Sequence, residues 1–328
     1  MISRNTQIEV SFVVATYNSN WEKLRRTLLS ILYQKDIQCE IIVADDGSVE
    51  NHFDRVKVLF GEFFFTEYQL LSSIKNEGTC KNFYKAVVAA KGLYVRALSP
   101  GDYIASDKVI SRWLLWSITN QIPISFGNTI FFNDDNGSFK AFDIPSIPHN
   151  AWVYSRKWKN KSVARTSYLL MGDTVCAVSV MVYRELLLKY LSEIIGKVIY
   201  AEDSCFRLMV FDGVELKRYN KTVTFYEYGT GISTGNQQIW VERICQDVNK
   251  ANDVIKDRLS TDRFSRRYKE YLKKYSAKKY AKLVKFLLFP WCAVLKVTQA
   301  CKPARSANCG KEEYEYYQKL INNSIGRN

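Results

Sequence analysis

Four short clusters carry the side chains that could do chemistry. Thr16-Tyr17-Asn18 offers an aromatic ring among polar groups, Asp45-Asp46-Gly47-Ser48 pairs two carboxylates, Ser99-Pro100-Gly101-Asp102 ends on another, and Ala201-Glu202-Asp203-Ser204 holds a second pair. A ring at a strand end can stack on a flat heterocycle. A carboxylate can accept an N–H, hold a hard divalent cation through oxygen, or take the proton of a hydroxyl. Each cluster also has a plainer reading: Asp, Gly, Ser and Pro are turn formers, and acids are favoured at a helix N-terminus. Local sequence does not choose between these readings, so the elements around the clusters must.

Residues 8–15 form an apolar run of strand length, broken only by Glu9 and Ser11. Ser19 with Glu22 fits a capping box, and Leu24, Leu28, Ile31 and Leu32 then recur at helical spacing. Residues 40–44 make a second buried strand, completing a β-α-β unit. Alternation continues with a strand over 68–72, a helix over 81–90, a strand over 94–98 and a helix over 107–118. Such alternation predicts a parallel, doubly wound sheet. Ligands in those sheets bind beyond the carboxyl ends of the strands, where the first three clusters fall. Residues 123–153 suit added strands and loops over an acceptor site, and 175–228 contain an apolar run and a helix over 185–194. The tail after 236 reads as helices.

Taken in order, residues 10–18, a helix, then Ile41 to Ser48, Asn76 to Gly78, Ala90 to Tyr94, Leu98 to Asp102 and Glu202-Asp203 resemble family 2 glycosyltransferases with the GT-A fold, over about residues 8–235. The ordered set is specific where each piece alone is weak. The resemblance implies a Rossmann-like α/β domain with a mixed, mainly parallel sheet flanked by helices, split into a nucleotide-sugar half (1–105) and an acceptor half (106–236), followed by a helical basic region (237–328). It implies an inverting hexosyl or deoxyhexosyl transfer from a nucleoside diphosphate sugar, UDP or dTDP, to a saccharide or lipid-linked saccharide in bacterial O-antigen, capsule or lipopolysaccharide synthesis. Ala15, Thr16, Tyr17, Asn18, Asp45 and Asp46 fall at the nucleoside, with Lys81, Gly101, Glu202 and Gly231 as further substrate contacts. Asp102 matches the holder of a divalent metal, Mn2+ or Mg2+, which would neutralise the leaving diphosphate. Most members carry two or three acids at that turn, and here only the last is present. Asp203 matches the general base. Residues 228–235 form a glycine-rich stretch that either closes over the diphosphate or is a surface loop; it is no phosphate-binding P-loop, lacking the lysine.

The chain of 328 residues carries 47 Lys+Arg against 33 Asp+Glu, a net of +14. Residues 263–305 hold thirteen basic residues and one acid, Glu270, a net of +12, so body and tail differ electrically. Phe264, Tyr268, Tyr271, Leu272 and Tyr275 recur at helical spacing opposite basic residues, and residues 286–295 are apolar but too short to span a bilayer. Together they predict an anionic membrane surface as partner. The alternative is that the aromatic stripe packs on the domain, or on a second copy in a homodimer. Eight scattered cysteines with only two histidines make no zinc motif, and the reading is a reduced, cytoplasmic protein, peripheral at the inner face of the cell membrane. His52 and His149 read as solvated, and the stretch from Trp152 to Trp158 as a possible flank of the acceptor. Competing readings are an inactive GT-A-like scaffold, which the thinned motif favours, and a basic nucleic-acid-binding protein, which leaves the acidic clusters unexplained. A nucleotidyltransferase would need Gly, Arg and Lys where Thr-Tyr-Asn-Ser-Asn stands.

Overall fold

The computed structural model describes residues 7–135, 138–229, 231, 235, 238–260, 262–301 and 305–325. Strand β1 (Val10–Thr16) leads through helix α1 (Trp21–Leu32) to β2 (Cys39–Asp45), then through α2 (Phe53–Glu62) to β3 (Tyr68–Ser72) and through α3 (Thr79–Ala89) to β4 (Tyr94–Leu98). These four strands pair in parallel in the order β3-β2-β1-β4. The inner strands β1, β2 and β4 are mostly buried, as strands covered on both faces must be, while β3 at the edge is only half-buried.

The chain starts α1 differently from the capping box: Asn20, in extended backbone, accepts the Lys23 N–H at 3.1 Å, while Ser19 stays in the loop. Helix α2 has no sequence signal at its start, because its first turn follows His52 in the left-handed region (φ 58°) with no side-chain cap.

Beyond β4 the sheet becomes mixed. After β5 (Asp102–Ile104) and α4 (Val109–Thr119), the order continues through β8 (Val180–Tyr183), β6 (Ile124–Asp135) and β9 (Leu216–Glu227) to β5, with β7 (Ser138–Ala141) hairpinned on β6. Helices α5 (Lys161–Leu170), α6 (Arg184–Ile194) and α7 (Cys205–Phe211) cover this half.

Five helices close the chain: α8 (Gln238–Asp257), α9 (Arg263–Lys274), α10 (Ala281–Leu288), α11 (Trp291–Cys301) and α12 (Lys311–Ile325). They belong to the same cores as the body. Ala251, Ile255, Phe264, Tyr268, Phe289 and Leu295 join the core around α3, α6 and α7. Tyr317 and Leu320 join the other, with the Tyr317 ring 4.5 Å from that of Phe139. The aromatic stripe of α9 therefore packs inward, and no single helix among the described residues is long and apolar enough to cross a membrane.

Candidate active site

Because β1 lies between β2 and β4, with Thr16 opposite Asp45 and Val14 opposite Leu98, the clusters that follow the three strands open at one edge of the sheet. Thr16 Oγ1 donates to Asp45 Oδ1 at 3.0 Å, and the Ser48 N–H donates to Asp45 Oδ2 at 2.8 Å. Asn18, at φ 45°, donates its N–H to Ser48 Oγ at 2.7 Å and accepts the Val49 N–H at 3.1 Å. This stitching fixes the loop while leaving Tyr17 52% exposed beyond half-buried Ala15, a ring held free at the rim.

Asp46 is buried and accepts two backbone N–H groups at 2.9 Å each, from Glu77 and Gly78. A carboxylate has about four lone-pair sites, so capacity remains for a ligand N–H. Lys81, one turn into α3, is ion-paired with Lys85 to Glu77; the two ammonium groups hold that carboxyl down at about 2. Its charge is committed at the helix start.

Asp102 opens β5 opposite Tyr226 of β9 and accepts the Ser99 N–H at 2.8 Å, which closes the turn. Burial pushes its carboxyl up to about 7, with Glu227 raising it further and the Ser99 N–H and Arg96 acting against. Gly101 sits at φ 105°, and a Cβ there would stand 2.6 Å from Glu227 Oε2, so the turn demands glycine. That oxygen is buried and has no hydrogen-bond partner among the described residues, while Oε1 takes Lys23 Nζ at 2.7 Å.

Glu202 and Asp203 occupy a half-buried 3-10 turn, Glu202–Ser204, at the start of α7. Burial, then the neighbouring Asp203, raises Glu202 to about 8; burial also raises Asp203, against the Arg207 guanidinium one turn on. The pair therefore keeps a proton near neutrality. Asp203 lines a cleft of about 470 Å³ with Tyr226, Asp173, Cys176, His149 and the loop from Pro145. Tyr226 is the register partner of Asp102, and the Cys176 thiol, pushed up to about 12 by burial, is raised further by both Asp102 and Asp203. Asp203 thus lines the cleft itself, while Asp102 is buried as the register partner of the lining residue Tyr226.

Asp247 on α8 was not singled out from the sequence. Only 2% exposed, its Oδ2 accepts the N–H groups of Ile199, Tyr200 and Ala201 at 3.0, 2.7 and 3.3 Å, the three residues before Glu202. Ile199 is also gripped from α3: its carbonyl accepts the Cys80 N–H at 2.9 Å, and a Cβ on Gly78 would meet its Cγ2 at 2.5 Å. Since Gly78 donates to Asp46, one connected scaffold supports both the Asp46 loop and the Asp203 turn. Asp247 shares a buried stripe with Ala251 and Ile255, and an acid at that four-residue spacing on an apolar face was the available signal. Among the remaining predicted contacts, Gly231 accepts the Gly235 N–H at 2.8 Å, while residues 230 and 232–234 of the glycine-rich stretch lie outside the described residues. Trp152 and Trp158 stack edge to face at 4.6 Å and pack on the core; the loop at 145–149 flanks the cleft instead.

A mixed α/β sheet with acidic clusters beyond its parallel strand ends, and a further acidic turn lining a cleft, is the arrangement of a GT-A glycosyltransferase. The chain belongs to glycosyl transferase family 2, whose profile matches residues 11–185, more than half of its length. No curated protein matches it in sequence. Among solved structures it is similar in fold to S. aureus TarS 1–349 in complex with UDP-GlcNAc, at 12% identity over 96% of this chain and 91% of that one, TM-score 0.55. It is also similar to mannosyltransferase PcManGT from Pyrobaculum calidifontis in complex with GDP-Man and Mn2+, at 14% identity over 98% and 81%, TM-score 0.55.

Proposed function

We propose that this glycosyltransferase is inverting and metal-assisted. It moves a hexosyl or deoxyhexosyl group from a UDP- or dTDP-sugar to a hydroxyl of a saccharide or lipid-linked saccharide, at the inner face of a bacterial membrane, in surface-polysaccharide synthesis. The observation that supports the reading is that Asp203 lines a cleft with Tyr226, the β-partner of buried Asp102, in a sheet whose parallel strand ends are followed by Tyr17 and Asp46. That the two solved neighbours are described with UDP-GlcNAc and with GDP-Man and Mn2+ supports a nucleoside diphosphate sugar as donor and a divalent ion as helper.

Tyr17 would stack on the base and Asp46 accept its N–H. The acceptor hydroxyl attacks the anomeric carbon opposite the diphosphate; the new C–O bond forms as the bond to the diphosphate oxygen breaks, and the hydroxyl proton passes to Asp203. Glu202, raised to about 8 by burial and by Asp203, holds the pair's proton near neutrality and so leaves Asp203 as the carboxylate that accepts the hydroxyl proton.

No group of three or more His, Cys, Asp or Glu side chains that could hold a metal exists among the described residues. The donor set fits an oxygen-seeking ion held by one carboxylate, Asp102, with substrate phosphates as the other ligands, a common way to bind Mg2+. Such an ion would neutralise the leaving diphosphate.

Calorimetry and thermal shift with UDP, dTDP, GDP and CDP, with and without Mn2+, test the reading on wild type and Asp102→Ala. One diphosphate should bind only with metal, and not to the variant. Binding of none, with salt-sensitive retention on DNA, would replace the enzyme by a nucleic-acid-binding scaffold.

A further inference from the structure

Helices α10 and α11 meet at Pro290 and cross at 107°. At 8 and 11 residues they are about 12 and 16 Å long, too short and too bent to cross a hydrocarbon core of about 30 Å. The inside of the bend is anchored. Phe289, Cys292 and Leu295 are buried, the Phe289 ring is 5.4 Å from that of Phe264, and Lys285 Nζ reaches the Leu170 carbonyl at 3.0 Å.

The outside is not covered. Leu283 is 64%, Leu287 72% and Val297 61% exposed, with Val294 and Tyr280 also open to solvent. Lys278, Lys279, Lys282 and Lys296 are exposed around them, and no acidic residue occurs between 271 and 311. Exposed aliphatic side chains rimmed by cations that have no ion-pair partner among the described residues fit a surface that is apolar inside and anionic outside. Aliphatic side chains give no stacking platform for bases, and a two-fold contact between copies would set these lysines against each other.

The hairpin is also built into the lip of the cleft. Thr298 Oγ1 donates to Asn150 Oδ1 at 2.6 Å, and the N–H groups of Ser146 and Ile147 both donate to the Arg305 carbonyl at 3.1 Å. Ser146 and Ile147 line the cleft that holds Asp203.

We propose that the α10–α11 hairpin is a wedge that enters the headgroup layer of an anionic bilayer and holds the cleft lip, residues 145–149, at the membrane surface. For the enzyme proposed above, on which this clause rests, the acceptor class is then a saccharide carried on a membrane lipid rather than a free sugar.

Flotation with phosphatidylcholine vesicles, with and without phosphatidylglycerol, tests the wedge, and photo-crosslinking from diazirine-bearing phosphatidylglycerol maps it. Wild type should float only with the anionic vesicles and be labelled within 280–297 and 145–149. Lys278→Gln/Lys279→Gln/Lys282→Gln should weaken partitioning about a hundredfold, from roughly fivefold per lysine. Leu283→Ser/Leu287→Ser should abolish the salt-resistant fraction. Both variants should bind the nucleoside diphosphate as wild type does, so loss of diphosphate binding throughout would sink the donor reading and leave the wedge standing. No flotation of wild type, unaltered flotation of the leucine variant, a dimer dispersed by the leucine substitutions, or labelling confined to other segments would each overturn the wedge.

Discussion

Replacing Asp247 tests whether the base turn is held from the C-terminal helices. One Asp247 oxygen receives three N–H donors from residues 199–201, and that segment leads directly into Glu202-Asp203. A hydrogen bond to a charged acceptor contributes about 1.5–3 kcal/mol; three sharing one oxygen contribute less than three times that, so Asp247→Ala should cost about 3–4 kcal/mol. For a chain of this length that is a fall in Tm of roughly 4–6 °C. The larger effect should be on the chemical step, since a catalytic group displaced by about 1 Å costs on the order of a hundredfold. Asp247→Asn keeps a carbonyl oxygen for the three donors and should recover most of the rate. Thermal shift and initial-rate kinetics at saturating donor read both. kcat should drop about a hundredfold in Asp247→Ala while the donor KM is unchanged. A lowered Tm with unaltered kcat would show that Asp247 only stabilises the fold, and an asparagine variant as slow as the alanine one would show that geometry is not what it supplies.

Two further outcomes follow from the acidic turn. Asp203→Asn should lower kcat by about 10²–10⁴ while diphosphate binding by calorimetry is unchanged; retained turnover would remove Asp203 as the base. Glu202 keeps its proton to about pH 8 in the folded chain against 4.5 in the unfolded, so between those values the folded state binds the extra proton and stability falls as pH rises. Glu202→Gln should therefore melt higher than wild type with a difference that grows above about pH 5, levels off above pH 8 and vanishes below pH 4, and parallel Tm–pH curves would contradict it.

The parallel half was legible because its inner strands β1 and β2, buried on both faces, are nearly continuous apolar runs, and the alternation carried on from them places strands at 68–72 and 94–98, which coincide with β3 and β4. Helix α2 was not, since His52 starts it in left-handed backbone without a cap. Nor was β5, three residues long, which exists because β9 pairs with it from more than a hundred residues away. The strand-end clusters could be read from order and spacing, but their supports could not. Glu227 and Asp247 reach the site only through tertiary pairing; the one local signal for Asp247 is its spacing on an apolar helix face, and the 145–149 loop falls within the 123–153 stretch expected to cover the acceptor. The basic stripe of α9 was read as a surface element, yet helical periodicity gives an apolar face without saying what covers it; Phe211, 6.0 Å from the Tyr268 ring, is part of the answer.

That covering bears on whether residues 1–236, expected from the sequence as the catalytic domain, are a unit of folding. The Tyr317 ring lies 5.4 Å from Phe132, 5.5 Å from Phe225 and 6.2 Å from Tyr103, and Tyr268 lies against Phe211. All four partners are at most 2% exposed. Ending the chain at 236 would uncover one side of each. At about 1.5–3 kcal/mol for a large side chain fully exposed, the four set an upper limit near 6–12 kcal/mol. That is the size of a whole domain's stability, about 5–15 kcal/mol. The truncated chain also loses Asp247 from the base turn and the Thr298 and Arg305 contacts from the cleft lip. It should therefore be recovered aggregated, or soluble with a dye-binding, broad melt, and without diphosphate binding. A truncated protein that melts cooperatively and binds diphosphate as the full chain does would show that the C-terminal helices are an addition to a self-sufficient fold, and that the contacts counted here are replaceable by water.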